Sequence, residues 1–259
     1  MTHSSAFGAE PITVESADSW PTLTHDPRAW LLTMRPFLSS ALLALLWSAP
    51  ALATAGVIHG TLRVPPPAPL PAASVSAYPG SAGSMPCAHE SQHGLASDAV
   101  IYVDHVPAEA ESALAKAADE TPRLAQKGQM FVPRVVAIAV NSNVEFHNQD
   151  PIYHNVFSLS PTRRFDLGKY RRGGSRTVNF PKPGLVNVYC DIHSNMEAFI
   201  LVLPHHGFTR PKASGEFRLP DLPAGAYVLH AWHPDLGEQT VSVEVPEVGQ
   251  VAADPNYPQ

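Results

Sequence analysis

The sequence predicts an all-β chain built as β-sandwiches, and three observations predict it. Its apolar runs are short and either β-branched, as in residues 99–103, or alternating, as in residues 185–190. Turn-forming residues punctuate those runs, with 27 Pro and 16 Gly in 259 residues. A sustained helical stripe is missing where Ala, Glu, Leu and Lys dominate, because Leu114 and Leu124 are too sparse to make one.

Taken in order, residues 57–62 read as an extended opening segment that Pro65, Pro66, Pro67, Pro69 and Pro71 break. Residues 73–78 read as a second strand, residues 80–98 as a Gly/Ser/His-rich loop, and residues 99–103 as a buried strand. Residues 106–129 read as loop with one or two helical turns. From Met130 strands resume at 135–140, 144–147, 176–180, 185–190 and 197–203. Residues 215–232 read as a hairpin turning at Pro223-Ala224-Gly225, followed by a strand at 240–245; these are too few to bury a core alone. The polar, Pro-rich tail 251–259 is expected to fray.

Length allows one or two domains. The formal net charge of −6, without long runs of one sign, argues against a nucleic-acid binder. Two cysteines, Cys87 and Cys190, exclude a disulfide scaffold and paired C-x-x-C zinc knuckles. Residues 34–53 combine basic Arg35, an apolar run at 37–47 and Ala51-Leu52-Ala53, so they read as a signal peptide cleaved after Ala53. Residues 1–33 then read as a non-native upstream extension, from a misplaced start codon, or as a disordered segment. The alternative is a retained anchor with a cytoplasmic tail, although the apolar run is well short of the ~20 residues a bilayer span needs. Export implies a periplasmic or secreted protein with no stable membrane span after cleavage. There, a cysteine is paired or holds a metal.

Cys190, His193 and Met196 share the run V-Y-C-D-I-H-S-N-M-E-A-F, and His154 lies upstream in D-P-I-Y-H-N-V-F. One thiolate, two imidazoles and one thioether form the donor set of a blue-copper centre, which takes and returns one electron. A strand ending at Cys190, a tight loop carrying His193 and a strand starting at Met196 can bring three donors to one pole of a sandwich. A Cys87–Cys190 disulfide is the rival reading, since it would consume the thiolate. The spacing has no C-x-x-C-H for haem and offers no catalytic base beside an open zinc position, so the chain reads as a non-enzyme. Met85, Cys87, His89 and His93 form a second donor cluster, read either as a mobile loop or as a copper-delivery site. His147, His205, His206, His230 and His233 read as strand-end, packing or surface residues. Arg163, Arg164, Lys169, Arg171 and Arg172 crowd one segment and can dock an acidic redox partner or merely cover a solvated hairpin.

C-x-x-H-x-x-M and N-Q-D-P-I-Y-H-N-V together resemble the cupredoxins, the plastocyanin- and amicyanin-like blue copper proteins, over residues 130–204. The resemblance implies a Greek-key β-sandwich whose first strand is supplied by residues 99–103. It implies one type 1 copper with His154, Cys190 and His193 equatorial and Met196 axial, and an Asn155 side chain that ties the two ligand loops together. G-E-F-R-L-P-D-L-P-A-G-A-Y-V-L, with residues 56–62 and 69–75, resembles the carboxypeptidase regulatory-like (transthyretin-like) sandwich. Residues 56–105 and 205–250 are therefore expected to form one discontinuous small sandwich around the inserted copper core. The function expected is a periplasmic electron carrier serving redox partner proteins. The alternatives are a non-redox copper carrier or sensor, and a structural binding module with a vestigial copper site.

Overall fold

The computed structural model describes residues 55–66, 95–118 and 121–258. The expected signal peptide, the upstream extension, the strand at 73–78 and the Met85, Cys87, His89 and His93 cluster lie outside the described residues. The chain is all-β apart from short helical pieces. It runs through β1 (Ala55–Thr61), β2 (Val100–Val103), the helix α1 (Ala108–Ala117), β3 (Arg123–Gln126), β4 (Phe131–Val132), β5 (Val135–Ala139) and β6 (Asn143–Asn148). Then come β7 (Phe157–Ser158), β8 (Phe165–Asp166), β9 (Ser175–Asn179), β10 (Gly184–Tyr189) and β11 (Glu197–Leu203). It ends with β12 (Phe208–Thr209), β13 (Glu216–Arg218), β14 (Leu222–Pro223), β15 (Gly225–His233), β16 (Gly237–Val245) and β17 (Gly249–Ala252).

Two sheets, in the orders β4-β3-β6-β9 and β5-β11-β10-β7-β8, enclose one core that includes Leu124, Phe146, Phe180, Val188 and Ile200. Two others enclose a second core that includes Ile58, Ile101, Leu222, Leu229 and Tyr257. In one of these β12-β2-β15-β16 run side by side; in the other β1 pairs with β13 and β14 along one edge and with β17 along the other. Residues 55–61 and 216–223 thus share a sheet, as do residues 100–103 and 225–233.

The two cores are joined by residues of opposite parity. Along β11, Ala198, Ile200 and Val202 face the first core, while Phe199, Leu201 and Leu203 belong to a junction cluster with Val135, Val100 and Trp232. Side chains alternate along a strand, so a strand apolar on both parities can serve two cores at once. Each fully buried aliphatic side chain there contributes roughly 1.5–3 kcal/mol.

Arg134 closes the junction beside β5. Its guanidinium donates to Asp235 Oδ2 and Oδ1 at 2.8 and 2.9 Å and to Glu197 Oε1 at 2.8 Å. Asp98 lies 3.6 Å away, and the Phe199 ring sits under the guanidinium. A planar fork suits this bidentate carboxylate recognition. Asp235 comes from the β15–β16 turn and Glu197 from β11, so one buried side chain clasps both sandwiches.

Three expectations need correction. Residues 106–129, expected as loop with one or two helical turns, carry besides the ten-residue helix α1 the strand β3, which inserts Leu124 fully into the first core. Isolated from its sheet, R-L-A-Q shows no period, and it becomes a strand by pairing with β4 on one edge and β6 on the other. Residues 99–103 do not supply a strand to the first sandwich; β2 pairs with β12 and β15 in the second. The tail does not fray. β17 runs parallel to β1, and the Tyr257 hydroxyl donates to Ala231 O at 2.6 Å and approaches Gly237 O at 2.9 Å. Gly60 permits that closure, because a Cβ there would overlap the Ala253 carbonyl.

Removing Arg134 leaves Asp98, Glu197 and Asp235 without their shared cation. Arg134→Met is expected to lower the unfolding free energy by about 3–5 kcal/mol, read from the urea midpoint. His233 is fully buried, with its Nε2–H donating to Leu95 O at 3.2 Å and its Nδ1 accepting from Asp235 N–H at 3.1 Å. Burial pushes its pKa below the usual histidine range. The unfolded chain therefore binds the proton first, and stability is lost as pH falls from about 6.5 through the folded value. Urea midpoints are expected to fall between about pH 7 and 5, with a shallower slope in His233→Gln.

Candidate metal centre

Antiparallel pairing of β10 with β11 ends at Tyr189↔Glu197, which leaves residues 190–196 as the connecting loop. Inside it Cys190 N–H donates to Met196 O at 3.3 Å and Met196 N–H to His193 O at 3.1 Å, folding the loop back on itself. Strand parity does the rest. Val186 and Val188 point into the core, so Cys190 does too; Ala198 and Ile200 point inward, so Met196 does too. Met196 is 1% exposed and packs within the core cluster.

His154 arrives from the segment between β6 and β7. It forms an isolated bridge with Tyr170, donating its N–H to Tyr170 O at 3.2 Å and accepting from Tyr170 N–H at 2.9 Å. This pairing buries the ring completely. His154 Nδ1 then lies 3.9 Å from Cys190 Sγ, and His193 Nδ1 lies 3.8 Å from the same sulfur. The ligand atoms of all three residues fall within 4.8 Å of one another. Cys190 is a buried free thiol; its expected rival partner, Cys87, lies outside the described residues.

These separations fit a shared ion. A nitrogen at ~2.0 Å and a sulfur at ~2.3 Å from one first-row metal, at a roughly trigonal angle, stand about 3.7 Å apart. The two observed distances lie close to that value. A thiolate with two imidazoles suits soft and borderline ions and not Mg or Ca.

The imidazoles are prepared differently. His154 Nε2 lies 2.8 Å from Asp150 Oδ2. A carboxylate only accepts, so Nε2 carries the proton and the Nδ1 lone pair faces the sulfur. Asp150 is itself held: Oδ1 accepts from Gly128 N–H at 2.6 Å and Oδ2 from Gln129 N–H at 2.8 Å. Burial would push the Asp150 pKa up, but the Gln129 and Gly128 amides and His154 outweigh it and hold the carboxyl below the usual range. Gly128 and Gln129 both have positive φ, 64° and 57°, as the two-residue β3–β4 hairpin turn requires. For His193, which is half-buried, burial and then the His154 imidazole push the pKa down.

Asn148 fixes the turn that delivers His154. Its Nδ2 donates to Ile152 O and Tyr170 O, both at 2.9 Å, and its Oδ1 accepts from Asp150 N–H at 2.9 Å. Asn148 and Asp150 were not among the residues singled out from sequence. Their signal is an Asn-x-Asp-Pro run, in which short polar side chains bond backbone two residues on.

The expected role of Asn155 needs correction. Its Nδ2 donates to Asp166 Oδ1 at 2.7 Å, so its side chain ties the His154 segment to β8 and not to the 190–196 loop. Asp191, next to Cys190, faces Lys169 at 3.7 Å instead. Of the basic residues, Arg164, Lys169, Arg171 and Arg172 are exposed, while Arg163 is half-buried. Lys169, Arg171 and Arg172 flank Tyr170, the backbone partner of His154. His147 lies within β6, paired with Ser175, and is not part of the cluster.

No family model matches the chain, and no curated protein does. Among solved structures, it is similar to a Cu-containing nitrite reductase from Thermus scotoductus SA-01, with 26% identity, a TM-score of 0.31, and 32% of this chain against 22% of that one. It is also similar to a purple cupredoxin from Nitrosopumilus maritimus, at 18% identity and a TM-score of 0.29, over 31% of this chain and 98% of that one. An amicyanin variant in its reduced state aligns at 17% identity and a TM-score of 0.30, over 34% of this chain and 88% of that one. The chain thus spans about a fifth of the nitrite reductase and most of the two smaller proteins.

Asn148 makes three hydrogen bonds from a fully buried position. Asn148→Ala is expected to cost about 2–3 kcal/mol. It is also expected to release protection of the Asp150 amide in hydrogen exchange, while amides in β10 and β11 keep theirs.

Proposed function

We propose that the chain is a periplasmic or secreted carrier of single electrons, not an enzyme, built around one type 1 copper. His154, Cys190 and His193 would be the strong donors and Met196 the weak axial one. The observation that carries this reading is two imidazole Nδ1 atoms at 3.9 and 3.8 Å from one buried thiol. Copper bound there supplies a one-electron couple whose two states differ in preferred geometry.

The chain's own residues support that use. Cys190 and Met196 are anchored by parity at the ends of paired strands, and His154 is anchored by its bridge to Tyr170, so the donors have little freedom to rearrange. Burial of His154 and Cys190 excludes water from the donor side. His193 is half-exposed, with exposed Ile192 beside it in sequence and exposed Tyr153 beside His154, which gives the site an edge toward solvent. Arg164, Lys169, Arg171 and Arg172 add positive charge that would steer an acidic redox partner. The second sandwich, with its resemblance to the carboxypeptidase regulatory-like domains, would bind or position rather than react.

Full-chain protein is expected to take up one copper per chain and show an intense thiolate-to-copper visible band, which Cys190→Ser abolishes. A reversible one-electron voltammogram would support the carrier reading. Copper uptake without that band would favour the non-redox carrier, and absence of stoichiometric copper would favour a vestigial site.

A further inference from the structure

We propose that Asp150 is a positioning residue of the centre, set by the Gly128–Gln129 turn. In this role it locks His154 as an Nδ1 donor and biases the site toward the more highly charged ion. The inference rests on the copper reading above and extends it to how the site is tuned.

The geometry is a relay of four groups. Two turn amides grip both oxygens of Asp150, at 2.6 and 2.8 Å. One of those oxygens accepts a hydrogen bond from His154 Nε2–H at 2.8 Å, and the opposite ring nitrogen faces Cys190 Sγ. Asp150 and His154 are 7% and 0% exposed, so this is a buried charge acting through a buried ring. A turn former alone would need only a short polar side chain at Asp150. Three donors converging on one carboxylate instead demand the charged form.

The local backbone is shaped around this contact. Gln129 holds φ 57° although it is not glycine, a conformation that an L side chain disfavours. Its amide is spent on Asp150. A carboxylate partner also makes the imidazole a better donor, and losing such a partner typically weakens metal binding 10–100-fold. A fixed negative charge stabilises a divalent ion more than a monovalent one, so the oxidised state gains more.

Two substitutions separate orientation from charge. Asp150→Asn keeps an oxygen for Nε2–H and removes the charge; Asp150→Ala removes both. In metal-free protein, ring nitrogen chemical shifts are expected to show His154 in the single Nε2–H tautomer, and a mixture of tautomers in Asp150→Ala. In copper-loaded protein, Asp150→Asn is expected to keep the visible band. It should also raise the reduction potential by about 59 mV or more, a tenfold change in the ratio of oxidised to reduced affinity. An unshifted potential in Asp150→Asn together with an unchanged tautomer in Asp150→Ala overturns the proposal. If Asp150→Ala does not fold, the potential of Asp150→Asn decides. If the wild type takes up no copper, the copper reading fails while the tautomer comparison still decides whether Asp150 orients His154.

Discussion

Strand β11 has no free face. Its even-numbered side chains fill one core and its odd-numbered ones fill the junction to the other, and both of its edges are paired, to β10 and to β5. A strand so enclosed has one register, because a one-residue slip would exchange Ile200 and Val202 for Phe199 and Leu201 in every contact. That register fixes Met196 at its start and, through β10, Cys190 opposite. Glu197, the first residue of β11, is held by Arg134, which also grips the second sandwich. The order of the 190–196 loop is therefore inherited from packing on both sides of the strand next to it.

Around that strand the donors are stabilised by interactions of different range. Cys190 and Met196 depend on strand parity and a loop closed by its own backbone. His154 depends on neighbours far away in sequence: Tyr170 for its backbone, and Asp150 with the Gly128–Gln129 turn for its ring. The first kind of order is secured by hydrophobic burial and the second by directional hydrogen bonds in a low-dielectric site. Such bonds are strong when complete and costly when one member is lost.

How far the sequence could be read follows the same division. The alternation in residues 185–190 and 197–203 made the hairpin legible, and C-x-x-H-x-x-M between two strands made its loop legible. Cys190 and His193 meet as their spacing suggested, and His154 joins them. β3 is not legible, since Arg123, Leu124, Ala125 and Gln126 acquire a strand's pattern only between β4 and β6. The docked tail is not legible because Tyr257 stands alone among polar and Pro residues, and only its hydrogen bonds to Ala231 and Gly237 show where it is held. The role of Asn155 rests on resemblance alone, and its amide bonds Asp166 of β8. Asp150 is not legible as a charged partner, because a carboxylate's charge role depends on which imidazole it meets.

The pairing of β1 bears on how the molecule is put together. Every strand of the first sandwich lies between Arg123 and Leu203, so its contacts close over one continuous stretch of chain. β1 precedes that stretch, but its partners β13, β14 and β17 all follow it, and Thr61 N–H bonds an Asp254 side chain 193 residues later. Contacts between distant segments form late, because loop closure must be met before they are rewarded. In a chain emerging from its N-terminal end, the donor-bearing sandwich can condense while β1 still waits, and the second sandwich is completed by the last strand to appear. The first sandwich can thus condense before the second is complete, and β11 gains its junction contacts only when the second closes on it.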